Sequence, residues 1–244
     1  MRPDIAHFRA FYDSRLGTIA RVLVRRRLRA LWPRVHRMDI LGLGYATPYL
    51  GPFVDEAARV VAAMPAEQGA VAWPRSGRNR VVLGDETGLP FEDGSIDRVV
   101  LVHGLETSDA WRGLLRQIWR VLKPDGRLLV VVPNRSGMWS AFGDQPFGHG
   151  HPYSRGQLER LLKDALFLPE IWDSALYGPP SKTRWIVRNG RIWERIGRIF
   201  WRHMPGLWIA DCSKSMYSPS AGATPTPARR PALAPAPARM KPAS

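Results

Sequence analysis

The chain is 244 residues long, with 36 Lys and Arg against 21 Asp and Glu, 45% hydrophobic residues and a single cysteine. That hydrophobic content excludes a wholly disordered chain, and one cysteine excludes a disulfide framework or an all-cysteine zinc site. No window holds the roughly 18 uncharged apolar residues of a spanning helix, and the N-terminus lacks the apolar core of a signal peptide. We therefore expect a soluble, cytoplasmic protein.

The net charge of +15 is unevenly distributed along the chain. Residues 1–38 carry ten Arg and two Asp, residues 182–203 carry seven Lys or Arg and one Glu, and the last 31 residues add five positive charges and no acid. An excess of this size is typical of proteins that meet nucleic acid or an anionic membrane surface. The middle of the chain is slightly acidic, which argues against a domain that coats nucleic acid uniformly.

Residues 4–32 are predicted to be helical, because large apolar side chains recur at three- and four-residue steps. Gly17 is the predicted break in this helix, and Trp32-Pro33 is its predicted end. Three roles are open for this basic segment. The first is packing of its apolar face on the domain, and the second is covering a ligand pocket. The third is attachment to anionic lipid through Arg25–Arg27 and Trp32.

From residue 38 the pattern changes to short apolar runs separated by helical stretches. The runs predict strands at 38–43, 59–64, 80–83, 97–102 and 128–132. Helices are predicted at 47–58 and at 107–122, where Ser108 is the expected N-cap, and a turn is predicted at 123–126. This alternation predicts a mostly parallel sheet with helices on both faces.

The remaining chain continues the pattern and then loses it. The predicted elements are a loop at 134–153, a helix at 154–166, a strand at about 170–177, a basic helix at about 190–203 and a last strand at 207–212. Residues 218–244 are rich in Pro and Ala and lack periodicity, which predicts disorder. The predicted organisation is a helical segment (1–35), one domain (36–217) and a disordered tail (218–244).

The first strand runs into a glycine-rich turn, with Gly42, Gly44 and the small Ala46 at alternate positions before a helix. Glycines allow a sharp turn and a close approach of the backbone to a ligand, and ligands of open α/β sheets bind at the carboxyl ends of strands. A glycine turn without a ligand is the alternative, because a short glycine motif is weak evidence alone.

Several further motifs follow in a fixed order. Residues 84–100 read GDETGLPFEDGSIDRVV, and residues 116–126 read RQIWRVLKPDG, just before the apolar run LLVVV. Over about residues 36–135 the chain resembles the class I S-adenosylmethionine-dependent methyltransferases, in particular the type 11 branch. The resemblance implies a Rossmann-like, seven-stranded sheet whose last strand is antiparallel. It also implies S-adenosylmethionine as cofactor and methyl transfer to an acceptor, for which we expect a small molecule.

The resemblance also implies roles for individual residues. Gly42, Gly44 and Ala46 would line the methionine and ribose part of the cofactor, and Met64 occupies the ribose-binding position. Asp85 would bind the adenine amino group beside Glu86, unless it merely caps a turn. His103 follows the fourth strand, where it would act as a general base or pack against the methionine moiety.

Two positions depart from the family pattern. The family usually has acidic residues where this chain has Ile40 and Met64, and Glu67 is the only nearby substitute for the second. Residues 65–79 are also a poor helix where the family has one. The alternative hypothesis is therefore a catalytically silent relative, acting as a binding or regulatory module at an RNA or anionic membrane surface.

Candidate substrate contacts lie at two places in the sequence. His149, His151 and Tyr153 belong to a Gly/Pro-rich loop after the fifth strand, and Tyr12 belongs to the N-terminal helix. A zinc site needs three or four ligands, and no third ligand is evident near the two histidines, so we predict no metal site. Cys212 is expected to be a buried apolar residue and not a nucleophile.

Overall fold

A computed structural model describes residues 4–141, 145–180, 194, 197 and 204–216 of the chain. The predicted basic helix at about 190–203 falls outside these residues, apart from Glu194 and Gly197. The predicted disordered tail at 218–244 falls outside them entirely.

Seven strands form one sheet in the order β3-β2-β1-β4-β5-β7-β6. They are β1 (Asp39–Gly44), β2 (Arg59–Pro65), β3 (Val81–Gly84), β4 (Ile96–Val102), β5 (Leu122–Pro133), β6 (Phe167–Ala175) and β7 (Leu207–Lys214). The pairs among β1 to β5 are parallel, while β7 pairs antiparallel with both β5 and β6. The predicted fold class, a mostly parallel seven-stranded sheet with an antiparallel last strand, is confirmed.

Helices cover both faces of the sheet. They are α1 (Ile5–Asp13), α2 (Arg15–Leu31), α3 (Thr47–Leu50), α4 (Trp111–Val121), α5 (Met138–Ala141) and α6 (Arg155–Asp164). One core lies between the sheet and the N-terminal helices, and a second lies between the sheet and α4 with α6. The apolar face of α4 packs into the second core, where Leu114, Leu115 and Ile118 are buried.

The predicted N-terminal helix is two helices, and the break falls at Ser14 and not at Gly17. The Ser14 side chain accepts a hydrogen bond from the Gly17 amide, 3.1 Å away, and so caps the start of α2. A Cβ at Gly17 would lie 2.0 Å from the Phe11 carbonyl oxygen. Gly17 is therefore needed where α2 passes close to the end of α1, and it does not interrupt the helix.

Three other local predictions differ from the structure. The helix predicted at 47–58 is only α3 followed by a single 3₁₀ turn at Gly51–Phe53. The predicted turn at 123–126 is part of β5. Ser108 does not cap α4, which begins at Trp111; its hydroxyl instead donates to the Glu86 carboxylate at 2.6 Å. As expected, residues 66–80 form no helix.

Glu56 links the short α3 region to α2. One carboxylate oxygen accepts from the Val35 amide at 2.6 Å and the other from the Arg29 guanidinium. These bonds hold the pKa of Glu56 below its usual value, the amide contributing most. A carboxyl whose pKa is lower in the folded state than in the unfolded state stabilises the fold at pH values above the unfolded-state pKa. This stabilisation is lost as the pH falls through the folded-state pKa.

We expect Glu56→Gln to lower the urea midpoint of unfolding at pH 7 because the charged acceptor is lost. The difference from the unsubstituted chain should shrink as the pH falls below about 4.5, where the unfolded carboxyl becomes protonated. Urea titrations between pH 3 and 7 measure this. Asp55→Asn, at the exposed neighbouring position, is the control, and an equal loss there would contradict the prediction.

Candidate functional site

A small cavity lies at the carboxyl ends of β1, β2 and β3. The parallel register pairs Leu43 with Ala63 and Met64 with Leu83, so the three strands end at one edge of the sheet. The cavity has a volume of about 10 Å³ and its lining includes Gly44, Met64, Glu86, Leu89 and Leu114. That is room for about one water molecule. This strand-end cavity brings together three of the residues predicted to bind the cofactor: Gly44, Met64 and Glu86.

Gly44 has a φ of +72°, and its backbone lies directly against β4. An added Cβ would be 2.4 Å from the Val102 carbonyl oxygen and 2.9 Å from the Gly104 amide nitrogen. The Tyr45 amide donates to the same Val102 oxygen at 2.8 Å. Glycine is therefore required here for the turn and for the close approach of the loop to β4.

The other small residues of the glycine motif lie behind the cavity wall. A Cβ at Gly42 would meet the Leu50 side chain of α3 at 2.6 Å, so this glycine makes room for helix packing. Ala46 is buried in the core beneath the N-terminal helices. Of the three predicted residues, only Gly44 lines the strand-end cavity.

Asp85 and Glu86 follow β3 but face different surroundings. Asp85 is exposed, and its Oδ1 accepts from the amide and the hydroxyl of Thr87, both at 2.8 Å, as in an Asx turn. Glu86 is buried, and its carboxylate both lines the cavity and accepts the hydrogen bond from Ser108. The sequence indicated only the Glu86 backbone, so the position of its side chain was not predicted.

His103 follows β4 with a φ of +55° and is fully buried. Its Nε2 lies 2.7 Å from the Tyr12 hydroxyl and its Nδ1 lies 3.2 Å from Glu106 Oε1. The Tyr12 hydroxyl is also 2.7 Å from that of Tyr49. Because a carboxylate only accepts, Nδ1 donates to Glu106, and in the neutral ring Nε2 then accepts from Tyr12. A chain of hydrogen bonds thus runs from Tyr49 to Glu106.

Helix α1 covers the loops that follow β1 and β4. Phe8 stacks on Tyr45 at 5.0 Å between ring centroids and also contacts His103 at 4.9 Å. Tyr12 stacks on Tyr45 at 5.6 Å. Burial raises the pKa of Tyr12 well above its usual value, so its phenol stays protonated. Helix α1 therefore packs on these two loops, with Tyr12 at the centre of the contact.

A second, larger cavity of about 830 Å³ opens on the other side of the glycine loop. We call it the N-terminal cavity, because α1, α2, the start of α3 and residues 70–75 enclose it. Tyr12 and Tyr45 form part of its wall. Gly44 lines the strand-end cavity and its neighbour Tyr45 lines the N-terminal cavity, so one turn of backbone separates the two spaces.

The predicted substrate residues after the fifth strand lie near His103, and none is in the lining of the two cavities described here. The His149 ring packs edge-on against His7 at 5.0 Å, and the His151 amide donates to the Glu106 carbonyl at 2.8 Å. The Tyr153 hydroxyl donates to the Leu105 carbonyl at 3.4 Å, and burial raises its pKa to about 12. This loop therefore supports the turn that carries Glu106.

Comparison with known proteins agrees with this arrangement. The model of a family described as a methyltransferase domain matches residues 39–130, which run from β1 into β5. A probable S-adenosylmethionine-dependent methyltransferase of Mycobacterium tuberculosis is 31% identical over 153 residues, covering 61% of this chain. The chain spans 56% of that relative's length.

Solved structures show the same fold at low sequence identity. A S-adenosylmethionine-dependent methyltransferase from Archaeoglobus fulgidus is 18% identical with a TM-score of 0.56, covering 80% of this chain and 94% of its own. The 1,6-didemethyltoxoflavin N1-methyltransferase of Burkholderia thailandensis, solved with bound 1,6-didemethyltoxoflavin and S-adenosylhomocysteine, is 15% identical with a TM-score of 0.50, covering 86% of this chain and 85% of its own.

The fold is Rossmann-like, with a glycine turn at the carboxyl end of β1. Over residues 39–130 the chain matches a methyltransferase domain, and it is similar to S-adenosylmethionine-dependent methyltransferases.

Proposed function

We propose that this protein transfers a methyl group from S-adenosylmethionine to a small-molecule acceptor. The observation that carries the proposal is the convergence of Gly44, Met64 and Glu86 on one cavity at the strand ends, within the segment that the family model matches. The comparisons give no support to the alternative of a silent module. Among the described residues, no helix has the length and apolar character needed to cross a bilayer.

The strand-end cavity fits the nucleoside part of the cofactor in its chemistry. Leu89 and Leu114 offer apolar surfaces to an adenine ring, and the Glu86 carboxylate accepts hydrogen bonds from an exocyclic amine or a ribose hydroxyl. Ligand pockets usually have volumes of about 300–1,000 Å³, against about 10 Å³ here. Cofactor binding therefore has to widen the cavity, and a hydrogen bond from the cofactor to Glu86 would compete with the one that Ser108 donates.

The cofactor supplies a methyl group on a sulfonium, which is already a strong electrophile. The protein then has to hold the acceptor in line with that methyl group and exclude water, and no dedicated base is required. Both ring nitrogens of His103 are engaged, by Tyr12 and by Glu106. We therefore assign His103 a positioning role, in which it fastens α1 over the strand ends.

The N-terminal cavity is the space for the acceptor in this proposal. Its volume of about 830 Å³ suits a small molecule. Its wall includes Tyr45, the residue next to Gly44 in the glycine turn. An acceptor there lies beside the same loop that lines the cofactor cavity.

We expect Glu86→Gln to weaken binding of S-adenosylhomocysteine about tenfold, because a hydrogen bond to a charged acceptor contributes about 1.5–3 kcal/mol. Ser108→Ala, which removes a competing hydrogen bond to Glu86, should leave the affinity unchanged or raise it. Isothermal titration of the full chain measures both, and Glu92→Gln, at an exposed position, controls for the change of charge.

Two results would contradict the proposal. The first is that neither S-adenosylmethionine nor S-adenosylhomocysteine gives a measurable heat of binding at millimolar concentration. The second is an equal loss of affinity in Glu86→Gln and Ser108→Ala, which would show that the bond between them and not the carboxylate matters.

A further inference from the structure

The N-terminal cavity has a strongly basic lining. Four arginines face it, Arg9, Arg21, Arg25 and Arg75, against the single carboxylate of Asp13. Asp13 pairs with Arg75 and lies 3.9 Å from Arg9. Arg21 and Arg25 therefore remain without a carboxylate partner within the described part of the chain.

Of the other four arginines of α2, Arg15 and Arg26 are exposed, and the two less exposed ones are paired with carboxylates. Arg27 lies 3.8 Å from the Asp173 carboxylate, and Arg29 pairs with Glu56. The domain thus neutralises the α2 arginines that face the sheet and the α3 region. It leaves Arg21 and Arg25, which face the cavity, without a negative charge to compensate theirs.

Arg21 and Arg25 lie one helical turn apart, so their charges share one face of α2. The Arg25 Nε donates to the Pro48 carbonyl at 2.5 Å, which fixes this guanidinium in the wall. The Arg21 Nε is buried and has no hydrogen-bond partner among the described residues. Burial, and next the charge of Arg21, lower the pKa of Arg25. Two partly buried like charges are unfavourable unless an anion neutralises them.

We infer that the N-terminal cavity binds the phosphate or diphosphate group of a small organic molecule. Guanidinium groups recognise phosphate oxygens through paired N–H donors, and four cations against one anion match a multiply charged group better than a single carboxylate. The aromatic walls at Tyr45 and Trp73 suit the organic part of the molecule. Identification of this molecule as the methyl acceptor rests on the proposed function, whereas the anion site itself does not.

Inorganic pyrophosphate, titrated calorimetrically into the full chain, tests the site without the cofactor. We expect saturable 1:1 binding that weakens as NaCl is raised, because the interaction is between charges. Arg21→Gln should weaken it about tenfold or more, as expected for loss of a charged hydrogen bond. Arg26→Gln, an equal change of charge at an exposed position of the same helix, should leave it unchanged.

The inference is overturned if pyrophosphate does not saturate the unsubstituted chain, or if the two variants lose affinity equally. It is also overturned if a short RNA binds and Arg26→Gln weakens that binding as much as Arg21→Gln does, since the contact would then be a diffuse basic surface. The titration is repeated with saturating S-adenosylhomocysteine. Complete competition would show that the cavity belongs to the cofactor, while pyrophosphate binding without any cofactor binding would remove the proposed function and keep the anion site.

Discussion

Replacing Gly44 by alanine should both destabilise the domain and abolish cofactor binding. The added Cβ would lie 2.4 Å from the Val102 carbonyl oxygen, and this contact is with backbone that cannot rotate away. Alanine must also adopt a φ of +72°, which costs about 1–2 kcal/mol. With about 1–3 kcal/mol for the overpacking, we expect a loss of about 2–5 kcal/mol in the free energy of unfolding.

Gly94→Ala is the matched control for this substitution. Gly94 also has a positive φ, +60°, but nothing lies within 4 Å of an added Cβ. The control therefore isolates the backbone penalty of about 1–2 kcal/mol, and the further loss in Gly44→Ala reports the contact with β4. Urea unfolding and titration with S-adenosylhomocysteine measure the two effects. Equal losses of stability in both variants would contradict the prediction.

The sheet and the similarity to methyltransferases could be predicted from the sequence because both rest on patterns that are local. Strand-length apolar runs, the turn at Gly42 and Gly44, and the motif ending in Lys123-Pro124-Asp125-Gly126 each lie within a few residues. Helix ends were less predictable. The apolar periodicity of α1 continues across Ser14 into α2, so the pattern gives no sign of the break that the Ser14 side chain caps.

The site was only partly predictable because the orientations of its side chains depend on hydrogen-bond partners that are distant in the sequence. Asp85 is drawn into a turn by Thr87, two residues away, whereas Glu86 is oriented by Ser108, 22 residues away. The partners of His103 are Tyr12 and Glu106, and only the second is nearby. The one sequence signal for Glu86 was its position next to Asp85, the residue predicted to bind adenine.

The charge of the N-terminal segment illustrates the same limit. The ten arginines of residues 1–38 are visible in the sequence, but the sequence does not show which of them meet a carboxylate. The structure pairs Arg27 with Asp173 and Arg29 with Glu56, across 146 and 27 positions of sequence. The apolar face of this segment therefore packs on the domain, and Arg27 and Arg29 pair with carboxylates of the domain. Packing on the domain is the first of the three predicted roles.

The His103→Ala substitution is expected to release α1 from the strand ends. It removes the hydrogen-bond donor of the buried Glu106 carboxylate, whose Oε2 already has no partner among the described residues. It also removes the acceptor of the Tyr12 hydroxyl and leaves a space between Phe8 and Phe147. Leaving a buried hydrogen-bonding group without its partner typically costs about 1–3 kcal/mol, and more for a charged group, so urea unfolding should show a loss of at least this size.

Tyr12→Phe breaks the same chain of hydrogen bonds at one point and keeps the ring. We expect it to cost about 1–3 kcal/mol, because His103 Nε2 and the Tyr49 hydroxyl each lose a buried partner. Tyr45→Phe removes the hydroxyl of the ring stacked on Tyr12. This hydroxyl has no hydrogen bond within the described part of the chain, so the change in stability should be less than about 0.5 kcal/mol. A loss in Tyr45→Phe as large as that in Tyr12→Phe would contradict the prediction, because the hydrogen bonds of Tyr12 would then contribute nothing specific to holding α1.

The two hypotheses for His103 differ in what His103→Ala does besides lowering stability. If His103 positions α1, trypsin should cleave the variant faster within α1, at Arg9, under conditions where the rest of the domain stays folded, and affinity for S-adenosylhomocysteine should change in parallel. Tyr12→Phe should show the same pattern to a smaller degree, since it weakens the same attachment. A general base would instead be revealed by normal cleavage and normal affinity with loss of methyl transfer alone, and that result would overturn the positioning role.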